Sequence, residues 1–230
     1  VTGAKPPRRL LASLTGLVLA LVVPALLTAA PGGTTDLKFG PTTDVMINEA
    51  VVWALALTVL AIVRFWEGRP LTSIGLGQPT WNAIIAGACV TLGLAALAGL
   101  AALALEATGL PMPENQADLI LGLPLWLQLA AALSAGMTEE ILFRGYAIER
   151  MTELTRSRWL GAIVPVLVFG GVHAPFWGVA HAIVAGFSGL WLTLLYLWRR
   201  NLWTNIIAHA LLDGLVFIAI DLAGKGAADA

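Results

Sequence analysis

Charge is what this sequence has least of. Only 12% of its 230 residues are Asp, Glu, Lys or Arg, about half the roughly 25% usual in soluble domains. The 14 acidic and 13 basic side chains leave a formal net charge of -1. Nothing in that balance forms a polybasic footprint, so no nucleic-acid partner is expected. The single cysteine, Cys89, lies inside an apolar run, which excludes an internal disulfide. No internal repeat or low-complexity tract is visible, and the links between apolar runs are too short for a second domain. Residues 1–230 read as one membrane domain, with N-terminal helices near 10–105 and a more polar core near 120–218.

Hydrophobicity is what the chain has in excess: 58% of residues are apolar and the mean hydropathy is +0.84. Such a composition belongs in a bilayer, whose roughly 30 Å hydrocarbon layer takes about 20 helical residues to cross. Runs of that kind fall near 10–30, 46–63, 82–105, 122–146, 159–174, 178–198 and 203–222. The expected fold is therefore all-α, a polytopic bundle of about seven transmembrane spans around an intramembrane polar cavity. Trp66, Trp81, Trp159, Trp198 and Trp203 stand at the borders of the runs, where amphipathic rings favour the headgroup level. Gly and Pro punctuate the links, as in "EGRPLTSIGLGQPT".

Basic residues resist translocation and so orient the bundle. Of the 13 Lys and Arg, all but Lys38 and Lys225 fall on one side of a seven-span arrangement. The N-terminus is then cytoplasmic and the C-terminus external. The first run also resembles a signal peptide, with "KPPRR", an apolar stretch and "LTAAPGG". It is long for such a leader and is expected to stay as a helix. The end "GKGAADA" carries no endoplasmic-reticulum retrieval signal, and a prokaryotic plasma membrane is the expected location. In the fifth span, "FGGVHAPFW" gathers Gly170, Gly171 and Pro175, and a helix is expected to end there inside the protein.

Against this apolar background, "GMTEEILFRGYAIERM" (136–151) places Glu139, Glu140 and Arg144 after a stretch that reads as membrane-spanning. A charged side chain at mid-bilayer costs roughly 2.5–3.5 kcal/mol on insertion scales, so three of them need compensation or a use. Glu140 and Arg144 are spaced i,i+4 and share a helix face, which predicts a structural ion pair. Glu139 points about 100° away from Glu140 and is left free. The bland alternative is that this is merely the cytoplasmic end of the fourth helix, its acids in water.

The remaining polar groups weigh against that alternative. His173 follows "VLVFGGV", and "NIIAHALLDG" puts His209 and Asp213 one turn apart on the last helix. At the helical rise, Glu139 lies ~17 Å from Arg150 and His209 ~14 Å from Arg200, which are matching depths. His173 comes out deeper, ~22 Å from Arg158, so the fifth helix must tilt or start late for all to meet. Intramembrane ionisable groups default to a functional site, and a carboxylate base with imidazoles can activate water. His181 fits less well and is expected to be structural, facing a neighbouring helix or outer water. Ser134 reads as a helix-packing residue.

"EEILFR", "FGGVH" and "HALLD", in that order on successive apolar helices, resemble the EExxxR, FxxxH and HxxxN motifs of the CAAX-processing and bacteriocin-processing (Abi) family of intramembrane endopeptidases, which includes the type II CAAX prenyl endopeptidase. The resemblance covers roughly residues 120–218. It implies a helical membrane fold with a conical cavity, in which Glu139 is the general base, His173 its partner in holding water, and His209 with residue 213 the oxyanion support. Asp213 departs from the family's usual Asn. An ionised Asp cannot donate a hydrogen bond and repels a developing oxyanion, so orienting His209 or holding a cation are the alternative roles.

No serine or cysteine lies in these motifs, and a covalent nucleophile is not indicated. HExxH is absent too; no cofactor is expected to be required, with zinc held by Glu139, His173 and His209 as the alternative. The expected partners are membrane lipid and a peptide or lipidated-protein substrate. A proton- or ion-coupled transporter also suits intramembrane Glu, His and Asp, although such folds commonly repeat their broken helices in both halves. A non-catalytic peptide-binding scaffold is the third reading.

Overall fold

The computed structural model describes residues 6–29, 40–110 and 122–228. Lys5 and Lys38, which entered the orientation argument, lie outside these residues. Everything regular among them is helical, with no strand. We label the helices α1 (residues 6–29), α2 (Pro41–Trp66), α3 (Trp81–Ala107), α4 (125–155), α5 (158–177), α6 (179–199) and α7 (Leu202–Ala228). A 3₁₀ turn, Leu71–Ile74, sits in the link between α2 and α3.

Local chemistry sets several of the ends. The Thr80 hydroxyl accepts from the Ala83 amide at the start of α3, and the Ser157 hydroxyl accepts from the Leu160 amide at the start of α5. Arg200 takes a left-handed conformation after α6, and the Asn201 side chain then accepts from the Trp203 amide to open α7.

Five stretches are long and apolar enough to cross a membrane: Arg8–Ala29, Pro41–Trp66, Trp81–Ala107, Arg158–Arg199 and Leu202–Gly224. Helix α4 is not among them because of its charges, and its position in the bundle accounts for how they are tolerated. Every residue from Glu140 to Ile148 is buried, and Ile141, Leu142, Phe143, Tyr146 and Ile148 join the main core with Val59 and Val63 of α2 and Ile206 of α7. The charged stretch of α4 is thus enclosed by other helices, while Trp126 and Leu133 of its first half stay exposed. Residues 140–148 are wound as a π-helix. Such wide turns are rare and cluster at functional sites.

Helix α4 continues past the apolar run near 122–146 to Thr155. One expectation about the breaks is corrected. The break expected at Gly170–Pro175 falls instead at Gly178, with φ 76° and ψ 171°. Pro175 removes one backbone donor without ending the helix, whereas the Gly178 conformation is essentially open only to glycine. The chain reverses there, so α5 and α6 run back along one another.

The first helix is built into the core. Ala12, Ala20 and Leu21 are buried, and Ser13 Oγ donates to Glu67 Oε1 at 3.0 Å. Glu67 is fully buried and also receives Tyr146 Oη at 2.9 Å and Arg150 Nη2 at 2.7 Å. Arg69 with Glu153, and Arg200 with Glu149, continue this belt of ion pairs at the same end of the bundle.

Candidate active site

Helix α4 carries Glu139 and Glu140 across the α-to-π junction, and α7 faces it closely. A Cβ on Gly136 would lie 2.8 Å from the Ala210 amide nitrogen, so the two helices meet almost backbone to backbone. That approach brings His209, one residue before Ala210, against the glutamates.

The site is layered. Arg144 Nη1 donates to Glu140 Oε1 at 2.8 Å, with both side chains at 1% exposure or less. The Arg144 guanidinium also lies 4.0 Å from the centre of the Phe169 ring, a cation–π contact that is strengthened where water is excluded. Asn205 donates to Glu140 Oε2 at 3.1 Å and to the Leu192 carbonyl at 2.7 Å. His209 Nδ1 meets Glu140 Oε1 at 2.9 Å. One carboxylate is thereby held by a guanidinium, an amide and an imidazole.

The opposite edge of His209 faces the two more open acids. Its Nε2 lies 3.8 Å from Glu139 Oε2 and 3.5 Å from Asp213 Oδ2, and these side chains keep 24% and 30% exposure. With Nδ1 turned to Glu140 and Nε2 to the other two, the doubly protonated ring is the form that can donate in both directions. Glu140 is enclosed by its partners, whereas Glu139 keeps 24% exposure.

His173 stands one ring further off. Its Nδ1 lies 2.6 Å from the Phe169 carbonyl, which makes Nδ1 the protonated nitrogen and leaves Nε2 with its lone pair. Phe169 sits between the histidines, its ring 4.8 Å from His173 and 6.0 Å from His209. Among the described residues His173 makes no hydrogen bond or ion pair with Glu139 or His209. The structure therefore gathers Glu139, Glu140, Arg144, His209 and Asp213 directly, and His173 through Phe169.

Several partners were not singled out in the sequence. Asn205 had a readable signal, since 205, 209 and 213 follow an i,i+4 rhythm on one helix face. Phe169 fills the first position of the "FGGVH" motif, yet its role as a shared ring surface shows only in three dimensions. Ser134 is more than a packing residue, because its hydroxyl donates to the carboxylate of Glu49 on α2. His181 faces the neighbouring helix α5, where its ring stacks against His173 with centroids 5.7 Å apart.

Among the described residues no three His, Cys, Asp or Glu side chains are arranged as a metal-ligand set. Two apolar grooves of about 480 and 440 Å³ lie elsewhere, lined by residues such as Trp159, Leu167 and Leu190 in one and Cys89, Leu94 and Trp191 in the other. Neither includes a residue of the polar cluster, which reaches the surface through Glu139 and Asp213.

Residues 121–215 match the family model described as type II CAAX prenyl endopeptidase Rce1-like. A curated protein of Bacillus subtilis (strain 168), named "Putative membrane peptidase YdiL", is 28% identical over 199 residues, which cover 79% of this chain and 78% of the relative. No solved structure matches.

Proposed function

We propose that this chain, a CAAX-processing and bacteriocin-processing family protein in its motif-bearing half, is an intramembrane endopeptidase that hydrolyses a peptide bond with water activated by Glu139. Its resemblance in residues 121–215 and its likeness to a named membrane peptidase support the peptidase reading. The observation that carries the mechanism is the placement of an accessible carboxylate, Glu139, 3.8 Å from a histidine whose other nitrogen is anchored by a buried glutamate.

In this mechanism Glu139 takes a proton from water, and the hydroxide attacks the carbonyl carbon of the scissile peptide. The carbonyl oxygen gains the displaced electron pair, and His209 Nε2–H donates to it. Such a donor is worth about 2.7–4 kcal/mol at the transition state. Collapse of the tetrahedral species breaks the C–N bond, and protonated Glu139 returns its proton to the leaving amine. His173, with its Nε2 lone pair free, helps hold the water. Glu140, Arg144 and Asn205 position His209 and do not touch the reacting atoms.

The substrate class is a peptide or lipidated protein tail that reaches the site from lipid or from the basic, cytoplasmic end. The N-terminus is on that same side in this reading, and reporter fusions to each end check it. No cofactor enters the scheme. Loss of cleavage with a chelator, restored by added zinc, would replace the metal-free mechanism with one in which zinc polarises the water.

The deciding experiment is cleavage of a peptide panel, prenylated and unprenylated, by purified wild type and Glu139→Ala. A positioned base contributes about 10²–10⁴ in rate, so kcat is expected to fall by about that factor with little change in KM. Undiminished cleavage with altered ion-coupled flux indicates a transporter. Absence of both activities in the wild type indicates a scaffold.

A further inference from the structure

A histidine outside all three motifs lies against the site. His181 and His173 are eight residues apart, and in a continuous helix they would be separated by ~12 Å along the axis. Their ring centroids are instead 5.7 Å apart with an interplanar angle of 25°. The reversal at Gly178, with φ 76°, is what folds one over the other. Trp177 lies on the same ring, 5.5 Å from His181 at 30°. The result is a run of rings, Phe169, His173, His181 and Trp177, that begins at the hub of the polar cluster and ends at the turn.

The polar atoms of His181 do not account for its placement. Its Nδ1 is buried without a hydrogen-bond partner among the described residues. An unpartnered buried nitrogen costs free energy, so it is the flat face of the ring that is in use. His173 needs that face. Its Nδ1 is fixed by the Phe169 carbonyl at 2.6 Å, but one hydrogen bond leaves the ring free to rock about it. Phe169 meets His173 at 57° on one side, and the near-parallel His181 ring supplies the second surface. Two ring contacts and one hydrogen bond together set the direction of the Nε2 lone pair.

We propose that His181 is a positioning residue for His173, acting through ring stacking and not through either of its nitrogens. The inference rests on the peptidase reading for its kinetic consequence, but not for its structural content. Aromatic pairs contribute enough for their loss to change a rate about three- to ten-fold.

The test uses the full-length protein with His181→Leu, which keeps apolar bulk without a π face, and His181→Phe, which keeps a ring without nitrogens. Cleavage of the peptide panel reads kcat and KM. In parallel, diethyl pyrocarbonate modification of His173, followed by mass spectrometry, reads the exposure of its Nε2. His181→Leu is expected to lower kcat about three- to ten-fold at unchanged KM and to speed modification of His173. His181→Phe is expected to restore both. The proposal is overturned if His181→Leu leaves His173 reactivity unchanged, or if His181→Phe behaves like His181→Leu, since a ring nitrogen would then be the acting group. A wild type that cleaves nothing defeats the peptidase reading alone, and the modification rates still decide this one. Should His181→Leu not fold, as judged by thermal melting, His181→Gln takes its place with the same two outcomes.

Discussion

Glu139 and Glu140 are neighbours in sequence with opposite surroundings, and the difference is one of partners. Glu140 receives Arg144, Asn205 and His209 and is fully buried. A buried ion pair adds little net stability, but one partner left alone is strongly destabilising, which makes Glu140 and Arg144 a unit. Among the described residues, the one ion-pair contact of Glu139 is the edge of His209 at 3.8 Å. Asp213 is the residue whose role is least like the family pattern. Its Oδ2 lies 3.5 Å from His209 Nε2, so an oxyanion bound at that nitrogen would face a carboxylate. Two like charges about 4 Å apart interact by about 4 kcal/mol at an effective dielectric of about 20. We therefore expect Asp213→Asn, which removes the charge and can still accept from His209, to cleave peptide at least as fast as the wild type. Asp213→Leu, which cannot orient the ring, is expected to be at least about ten-fold slower, because misaligned catalytic groups lose rate steeply. Equal losses in both variants would mean that the negative charge itself is needed.

Among the elements, the helices were the most legible part of the sequence, because an apolar run of sufficient length has little choice but to be one in lipid. All seven predicted runs correspond to helical segments of the described residues. The breaks were less legible. "FGGVHAPFW" offers two adjacent glycines and a proline, yet helix α5 passes through all three, since neighbouring helices compensate for a missing backbone donor. Gly178 stands three residues after Pro175 as a single glycine, and its positive φ marks the turn between α5 and α6. An alanine there would cost about 1–3 kcal/mol in strain. Gly178→Ala is thus expected to lower the melting temperature in detergent and to slow cleavage, by loosening the turn that lays His181 over His173. A variant that melts and cleaves like the wild type would show that the reversal does not depend on glycine. The π-wound stretch at 140–148 had no sequence signal. It coincides with the stretch in which every side chain from Glu140 to Ile148 is buried.

At the scale of the whole molecule, the motif half and the N-terminal half are not independent. The pairing of Glu140 with Arg144 and the spacing of His209 and Asp213 could be read locally, because each lies within one turn of one helix. The links between the halves could not. Glu67 stands in a link rich in Gly and Pro, and only the fold shows it buried against Arg150, Tyr146 and Ser13. Likewise the amide of Leu202, the first residue of α7, donates to the Gly75 carbonyl at 2.9 Å, and Ser134 of α4 donates to Glu49 of α2. The family match covers residues 121–215 only, but a chain cut to residues 122–228 would lose Glu67 and leave Arg150 with Glu153 at 3.6 Å as its carboxylate. Tyr146 would lose its acceptor as well, and a hydrogen bond to a charged group contributes about 1.5–3 kcal/mol, a sizeable part of the roughly 5–15 kcal/mol that holds a domain folded. Ile141, Phe143 and Tyr146 would also lose the apolar cover of α1 and α2. We expect residues 122–228 expressed alone to be trypsin-sensitive and without peptidase activity in detergent, and co-expression of residues 1–110 to restore both protection and cleavage. A protease-resistant, active 122–228 fragment would show that the N-terminal helices serve a purpose other than completing the site.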